Sequence, residues 1–258
     1  MLRCFFSLLL SGTILSVASV ALAEAPQVSG KLNGNYTYNN GQLTVPYGAT
    51  ATETGANNMV QASEKMTFTN NGDLTTEDGH GYYMYATDKT SLSGTKIFNK
   101  GQIKTTGNGY GIYAHPMPNQ KMTTGVYNYG TLERIHLYQS ADADIFNGED
   151  YGDDHAALNG SVLLGTQARV YNRGQMASKA GENNTEFPGW SGSLLWMDRD
   201  SELVNGAYEV MEDNPKRSDG SKRLNVYLNP YATITTDNIY FSQSGRMYHS
   251  GTIENQVI

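Results

Sequence analysis

One seven-residue phrase returns along this chain: an apolar residue, Asn two positions on, Gly two beyond that, and a second apolar residue two further. It reads Phe68–Leu74, Ile97–Ile103, Val126–Leu132 and Val170–Met176, with a worn copy at Met247–Ile253 and a shorter match at Thr37–Leu43. Asn39, Asn70, Asn99 and Asn128 are spaced by 31, 29 and 29 residues. A fixed period of this size belongs to stacked supersecondary units, each burying its apolar face on its neighbours. The even spacing of the apolar residues places them on one face of an extended strand, not on a helical stripe. The Gly between them suits a bend or a close backbone approach.

A second phrase follows the first. Gly79–Ala86 and Gly107–Ala114 share Gly-x-Gly-Tyr and later Tyr-Ala, so a 28-residue step aligns Tyr82 with Tyr110 and Tyr85 with Tyr113. Equivalent residues one coil apart stack about 4.8 Å from one another. Asn70, Asn99, Asn128 and Asn172 are therefore expected to form an amide ladder. An antiparallel sandwich is the alternative, but hairpins do not account for two phrases locked to one period. The expected fold is all-β, a single-stranded parallel β-helix of about eight coils.

The N-terminus reads as a secretory signal peptide over residues 1–23: Arg3, an apolar run to Leu22, and Ala21-Leu22-Ala23 as the cleavage site. Residues 24–258 are then one β-helix domain, and no later stretch is apolar enough to span a bilayer. The single cysteine, Cys4, lies in the leader, so disulfides are not expected. The formal charge of −7 comes without a basic stripe, which argues against nucleic acid as a partner.

Repeats are cleanest over 59–137. Residues 31–54 alternate weakly and are expected to cap the N-terminal strand edge. Loops are expected near 140–155, 183–196 and 211–222. The first is acidic: Asp142, Asp144, Asn147 and Glu149 offer oxygen ligands of the kind calcium takes, although Phe146 breaks the EF-hand spacing. The bland reading of the same cluster is a solvated loop. The second loop holds Trp190 and Trp196, expected contact residues if exposed. Tyr127, Tyr129 and Tyr171 flank the Asn ladder and are expected to point outward, where aromatic rings bind sugars.

The leader, the Asn-x-Gly phrases and Gly109-Tyr-Gly-Ile-Tyr-Ala114 together resemble the passenger region of autotransporter adhesins, over about residues 68–176. The resemblance implies a right-handed β-helix displayed outside the cell and binding a host glycan or matrix protein. It departs from that family in lacking a terminal block of alternating membrane strands, so a separate secretion or barrel partner is expected. The worn phrase near the C-terminus also leads to the expectation of an edge that is covered by a partner, pairs with another copy, or once continued into a longer chain. The functional expectation is a secreted or surface adhesin-like binding or structural protein, with the periplasm as the alternative compartment. A carbohydrate-active β-helix enzyme (polysaccharide lyase or hydrolase) and a truncated passenger without independent function stay open; Asp153, Asp154, His155 and His80 are the residues that keep an enzyme in view.

Overall fold

In the computed structural model, the residues described are 25–85, 92–115, 123–138, 142–148, 155–182, 191–210, 224–227, 231–254 and 256–257. The leader at 1–23 and the loop at 211–222 lie outside them.

The chain winds into a largely parallel β-solenoid. A nine-stranded sheet runs in the order Thr37–Asn39, Gln42–Val45, Thr67–Asn70, Thr95–Asn99, Thr124–Asn128, Asp144–Asn147, Arg169–Asn172, Glu202–Asn205 and Arg246–His249. Every neighbouring pair in it is parallel except the first, a hairpin. A fifteen-stranded sheet makes the other two sides. One row of it includes Thr50–Glu53, Asp73–Thr76 and Gln102–Thr105; the other includes Val60–Ala62, Tyr82–Tyr85 and Ile112–His115. The rows fuse where Thr131–Leu137 and Ala157–Leu164 run unbroken around the corner. That corner is a bulge: the register shifts between Glu133 and Ile135, with Arg134 at φ 58° and the facing Gly160 at φ 83°.

Strand parity builds the interior. Phe68, Ile97, Val126, Ile145, Val170 and Leu203 occupy one inward row, and each is fully buried. Leu74, Ile103, Leu132 and Leu158 line the second side, and Tyr82, Ile112, Ile135 and Val162 the third. Two rings meet across the interior, with Phe68 and Tyr82 stacked at 4.8 Å. Burial, then the nearby Tyr38, pushes the Tyr82 phenol far above its ordinary range, so it stays neutral. Its hydroxyl has no hydrogen-bond partner among the described residues. Tyr82→Phe is therefore expected to leave the melting temperature equal or higher, a gain of up to about 1 kcal/mol, because it removes a desolvated hydroxyl and keeps the ring. A clear loss of stability would show that the hydroxyl has a partner.

The Asn ladder is present and longer than the full phrase shows. Register aligns Asn70, Asn99, Asn128, Asn147, Asn172 and Asn205, all fully buried at the same corner. Each amide donates to the next Asn carbonyl oxygen at 2.7–2.9 Å. It also donates to a backbone carbonyl of the following coil, Gln102, Thr131, Ala157, Gln175 and Thr233 in turn. Beyond Asn205 the position passes to His249, whose Nδ1 lies 3.5 Å from the Asn205 amide.

Three details differ from the sequence reading. The Thr37–Leu43 copy of the phrase is a hairpin, not a coil: Thr37–Asn39 pairs antiparallel with Gln42–Val45 around Asn40 (φ 47°) and Gly41 (φ 72°), and Val45 occupies the rung position below Asn70. The N-terminal cap is consequently 27–39. Gln27–Val28 adds antiparallel to Val60–Ala62, the hairpin adds to the other sheet, and Leu32 on a short 3-10 helix plugs the interior. The second phrase stacks with a step of 30, not 28: Tyr82 pairs with Ile112, Tyr83 with Tyr113 and Tyr85 with His115. A two-residue slip keeps every side chain on its own face, so alternation cannot detect it. The glycines decide it, since a Cβ on Gly109 would meet the Gly79 carbonyl oxygen at 1.8 Å.

Within 140–155, Asp144–Asn147 is a strand, paired on both sides. The stretch between Asn128 and Asn172 therefore holds a ladder position of its own.

Candidate binding face

Two outward aromatic rows result from this register. On the nine-stranded sheet Phe98, Tyr127, Phe146 and Tyr171 stack at 4.7, 5.0 and 4.9 Å, with ring planes within 3–12° of parallel. Tyr127 and Tyr171 thus join one column through Phe146, while Tyr129 stands at the corner beyond the strand, half-buried. Each inner ring has both faces covered by its neighbours. Only edges and hydroxyls are turned to water, whereas stacking on a sugar requires a free face. The column suits sheet stabilisation more than sugar recognition.

The second row crosses the other outward side. Tyr83, Tyr113, His136, Leu163, Trp196 and Tyr240 occupy one outward position in successive strands. Trp196 is on the strand Leu194–Met197, not in the expected loop. It stacks on Tyr240 at 4.1 Å and meets Tyr138 edge-on at 6.2 Å. Beneath them Leu163 and Leu194 are fully buried although they face outward, because Tyr113, Tyr138, Trp196 and Tyr240 close over them. Here the rings lie at mixed angles: His80 is parallel to Tyr113 at 4.4 Å, while His136 meets it at 81° and 4.6 Å. Burial, then Asp198 and Tyr240, pushes the Tyr138 phenol up; burial and Tyr85 do the same to Tyr83. His80 has a packing role as well, its Nδ1 accepting the Tyr110 backbone N–H at 3.1 Å.

A buried polar clasp borders this face. Arg134 forms an ion pair with Glu182 at 2.8 Å, and their side chains are 7% and 2% exposed. The guanidinium also donates to the Gly109 carbonyl at 2.7 Å and lies over the Tyr110 ring at 4.2 Å. Glu182 further accepts the Ser193 hydroxyl at 2.6 Å and the Ser161 backbone N–H. Lys179 pairs with Glu133 at 2.7 Å and donates to the Thr105 carbonyl. Both carboxylates are occupied by cations at close range, which suits a lock on the segment after Gln175–Ala177 better than acid–base work.

Two of the four expected calcium ligands near 140–155 have other partners among the described residues. Asn147 spends its amide inside the ladder, donating to Asn172 and Gln175. Asp144 is outward on the strand and pairs with Arg169 at 2.9 Å; burial outweighs that arginine and lifts its carboxyl above the usual range. Asp142 sits at φ 57° ahead of the strand, and Glu149 lies outside the described residues. Among the described residues no group of three or more His, Cys, Asp or Glu is placed to hold a metal ion. Trp190, Asp153 and Asp154 also lie outside the described residues.

Sequence reasoning missed Tyr83, Tyr113, Tyr138, His136 and Tyr240 as members of an outward face. The available signal was an aromatic at outward parity in successive strands, hidden by the two-residue slip.

The architecture defines the chain as a β-solenoid. No protein-family model matches it, and neither a curated protein nor a solved structure shows significant similarity to it. No helix among the described residues is long and apolar enough to cross a membrane.

Proposed function

We propose that this is an exported, adhesin-like binding protein without catalytic activity, whose ligand is an extended glycan or a glycan-bearing matrix protein. The observation that carries the reading is the row of outward aromatic rings, Tyr83, Tyr113, Trp196 and Tyr240, partly exposed along one side of the solenoid with His136 and Leu163 buried between them at the same position of the intervening strands. A repeating ligand meets a repeating surface there, and partly exposed apolar rings with a polar rim are the usual composition of a recognition face. The leader at residues 1–23 supports export, the resemblance to autotransporter passengers supports display outside the cell and right-handed winding, and the repeat period supports about eight coils. The saturated ion pairs of Glu133 and Glu182 favour binding over turnover.

The test is an array of glycans and extracellular-matrix proteins probed with the purified protein, followed by titration of any hit. Trp196→Ala is expected to weaken the selected ligand by about tenfold or more in protein that still folds, with a lowered melting temperature because Leu163 and Leu194 lose part of their cover. A blank array from folded protein rejects the reading. So does a ligand whose affinity is indifferent to both Trp196→Ala and Tyr240→Ala.

A further inference from the structure

The inward position that carries Thr105 and Thr76 in successive coils is taken at the N-terminal end by Glu53. Thr76 and Thr105 are small and buried; Glu53 puts a carboxylate at the same depth, with the residue only 7% exposed. An ionised carboxylate removed from water needs several donors to offset its lost hydration. Among the described residues Glu53 receives one side-chain hydrogen bond, from the Ser29 hydroxyl. Two carboxylate oxygens offer about four acceptor sites, so most of this capacity is unspent.

That capacity borders a cavity of about 430 Å³, walled by Gln27, Ser29, Asn57, Asn58 and Gln61. The cavity is built, not incidental. Its outer wall is the antiparallel strand Gln27–Val28, held on Val60–Ala62, and the Ser29 N–H donates to the Met59 carbonyl at 2.8 Å. Asn58 is fixed from behind, since its carbonyl oxygen accepts the His80 backbone N–H at 2.9 Å.

We infer that this end cavity is a saccharide subsite that takes one or two neutral sugar rings, separate from the aromatic face. The lining chemistry selects the ligand class. Carboxamides offer both donors and acceptors, and the carboxylate adds acceptors, which together match hydroxyl groups that donate and accept at once. Among the described residues no Lys, Arg or His lines the cavity, so an anion finds no counter-charge there. The walls are mostly polar, with only Val28 and Ala56 as apolar side chains, so a lipid or aromatic ligand has little to bury against. The volume falls within the range of small-ligand sites. Glu53 would accept from a sugar hydroxyl at the floor, and Gln27 and Asn57 would close the rim.

The experiment is saturation-transfer NMR of the purified protein with glucose, galactose, maltose and cellobiose at about 10 mM, a concentration suited to millimolar binding. Transfer to at least one sugar is expected. It should be lost in Gln27→Ala/Asn57→Ala, whose two sites are exposed and whose melting temperature should not change, and reduced in Glu53→Gln. It should persist in Trp196→Ala, which separates this site from the proposed binding face. Absence of transfer from every sugar overturns the inference, as does transfer that survives the double variant. Methylammonium binding in preference to neutral sugars also overturns it, by making the carboxylate a cation site.

Discussion

Asn128→Ala is expected to cost about 3–6 kcal/mol, a large share of the roughly 5–15 kcal/mol that holds a typical domain together. Asn128 accepts from the Asn99 amide at 2.8 Å and donates to the Asn147 carbonyl oxygen at 2.7 Å and the Ala157 carbonyl at 3.0 Å. Truncation orphans one donor and two acceptors in an interior without solvent, at about 1–3 kcal/mol each. Asn128→Asp keeps the shape but replaces the NH2 group, with its two donors, by one acceptor oxygen, so two acceptors then face a carboxylate. Asn39→Ala is the control: exposed and in the hairpin, it should stay within about 0.5 kcal/mol of the parent. Urea unfolding midpoints of the three variants settle the matter. If Asn128→Ala and Asn39→Ala unfolded together, the ladder would be an ornament of the fold and not a source of its stability.

The same comparison shows what the sequence could and could not reveal. Asn70, Asn99, Asn128 and Asn172 were legible because each carries the full phrase, with Gly two residues on where the chain turns beside a neighbouring backbone. At Gly101 and Gly130 an added Cβ would meet carbonyl oxygens at 2.1 and 2.0 Å, so the glycine is a packing requirement. Asn147 and Asn205 escaped notice because Gly148 (φ 95°) and Gly206 (φ 135°) follow immediately and turn the corner by a positive φ instead. Half the phrase, an apolar residue two before Asn, survives at Ile145 and Leu203 and would have found both. The candidate face was less legible for a different reason. Pairing partners are set by corner lengths, and the corner between Thr105 and Ile112 is one residue longer than that between Thr76 and Tyr82. Parity is blind to such changes when they accumulate to two. Trp196 looked like loop because its neighbours Gly192 and Ser193 carry turn chemistry, yet Leu194–Met197 pairs on both sides.

Val126→Asp should abolish folding or cost well over 4 kcal/mol, while Tyr127→Asp, one residue along, should cost only about 1–2 kcal/mol. Val126 is fully buried between Ile97 and Ile145, where a carboxylate finds neither water nor a cation. Protonation would relieve the charge at the expense of a buried carboxyl with few partners, so the variant should be somewhat less defective in acid. Tyr127 faces outward between Phe98 and Phe146, and its replacement forfeits two ring stacks of 4.7 and 5.0 Å without burying anything polar. The pair isolates parity from propensity, since both sites share one strand and receive the same poor β-former. Far-ultraviolet circular dichroism and urea titration of both variants give the answer. Equal losses would mean that this strand is covered on both faces and that the outward side is a second interior; a reversed order would require the whole sheet to be turned over. A third variant, Ile97→Asp, tests whether the effect belongs to the row: it occupies the same inward position one strand earlier and should fail in the same way.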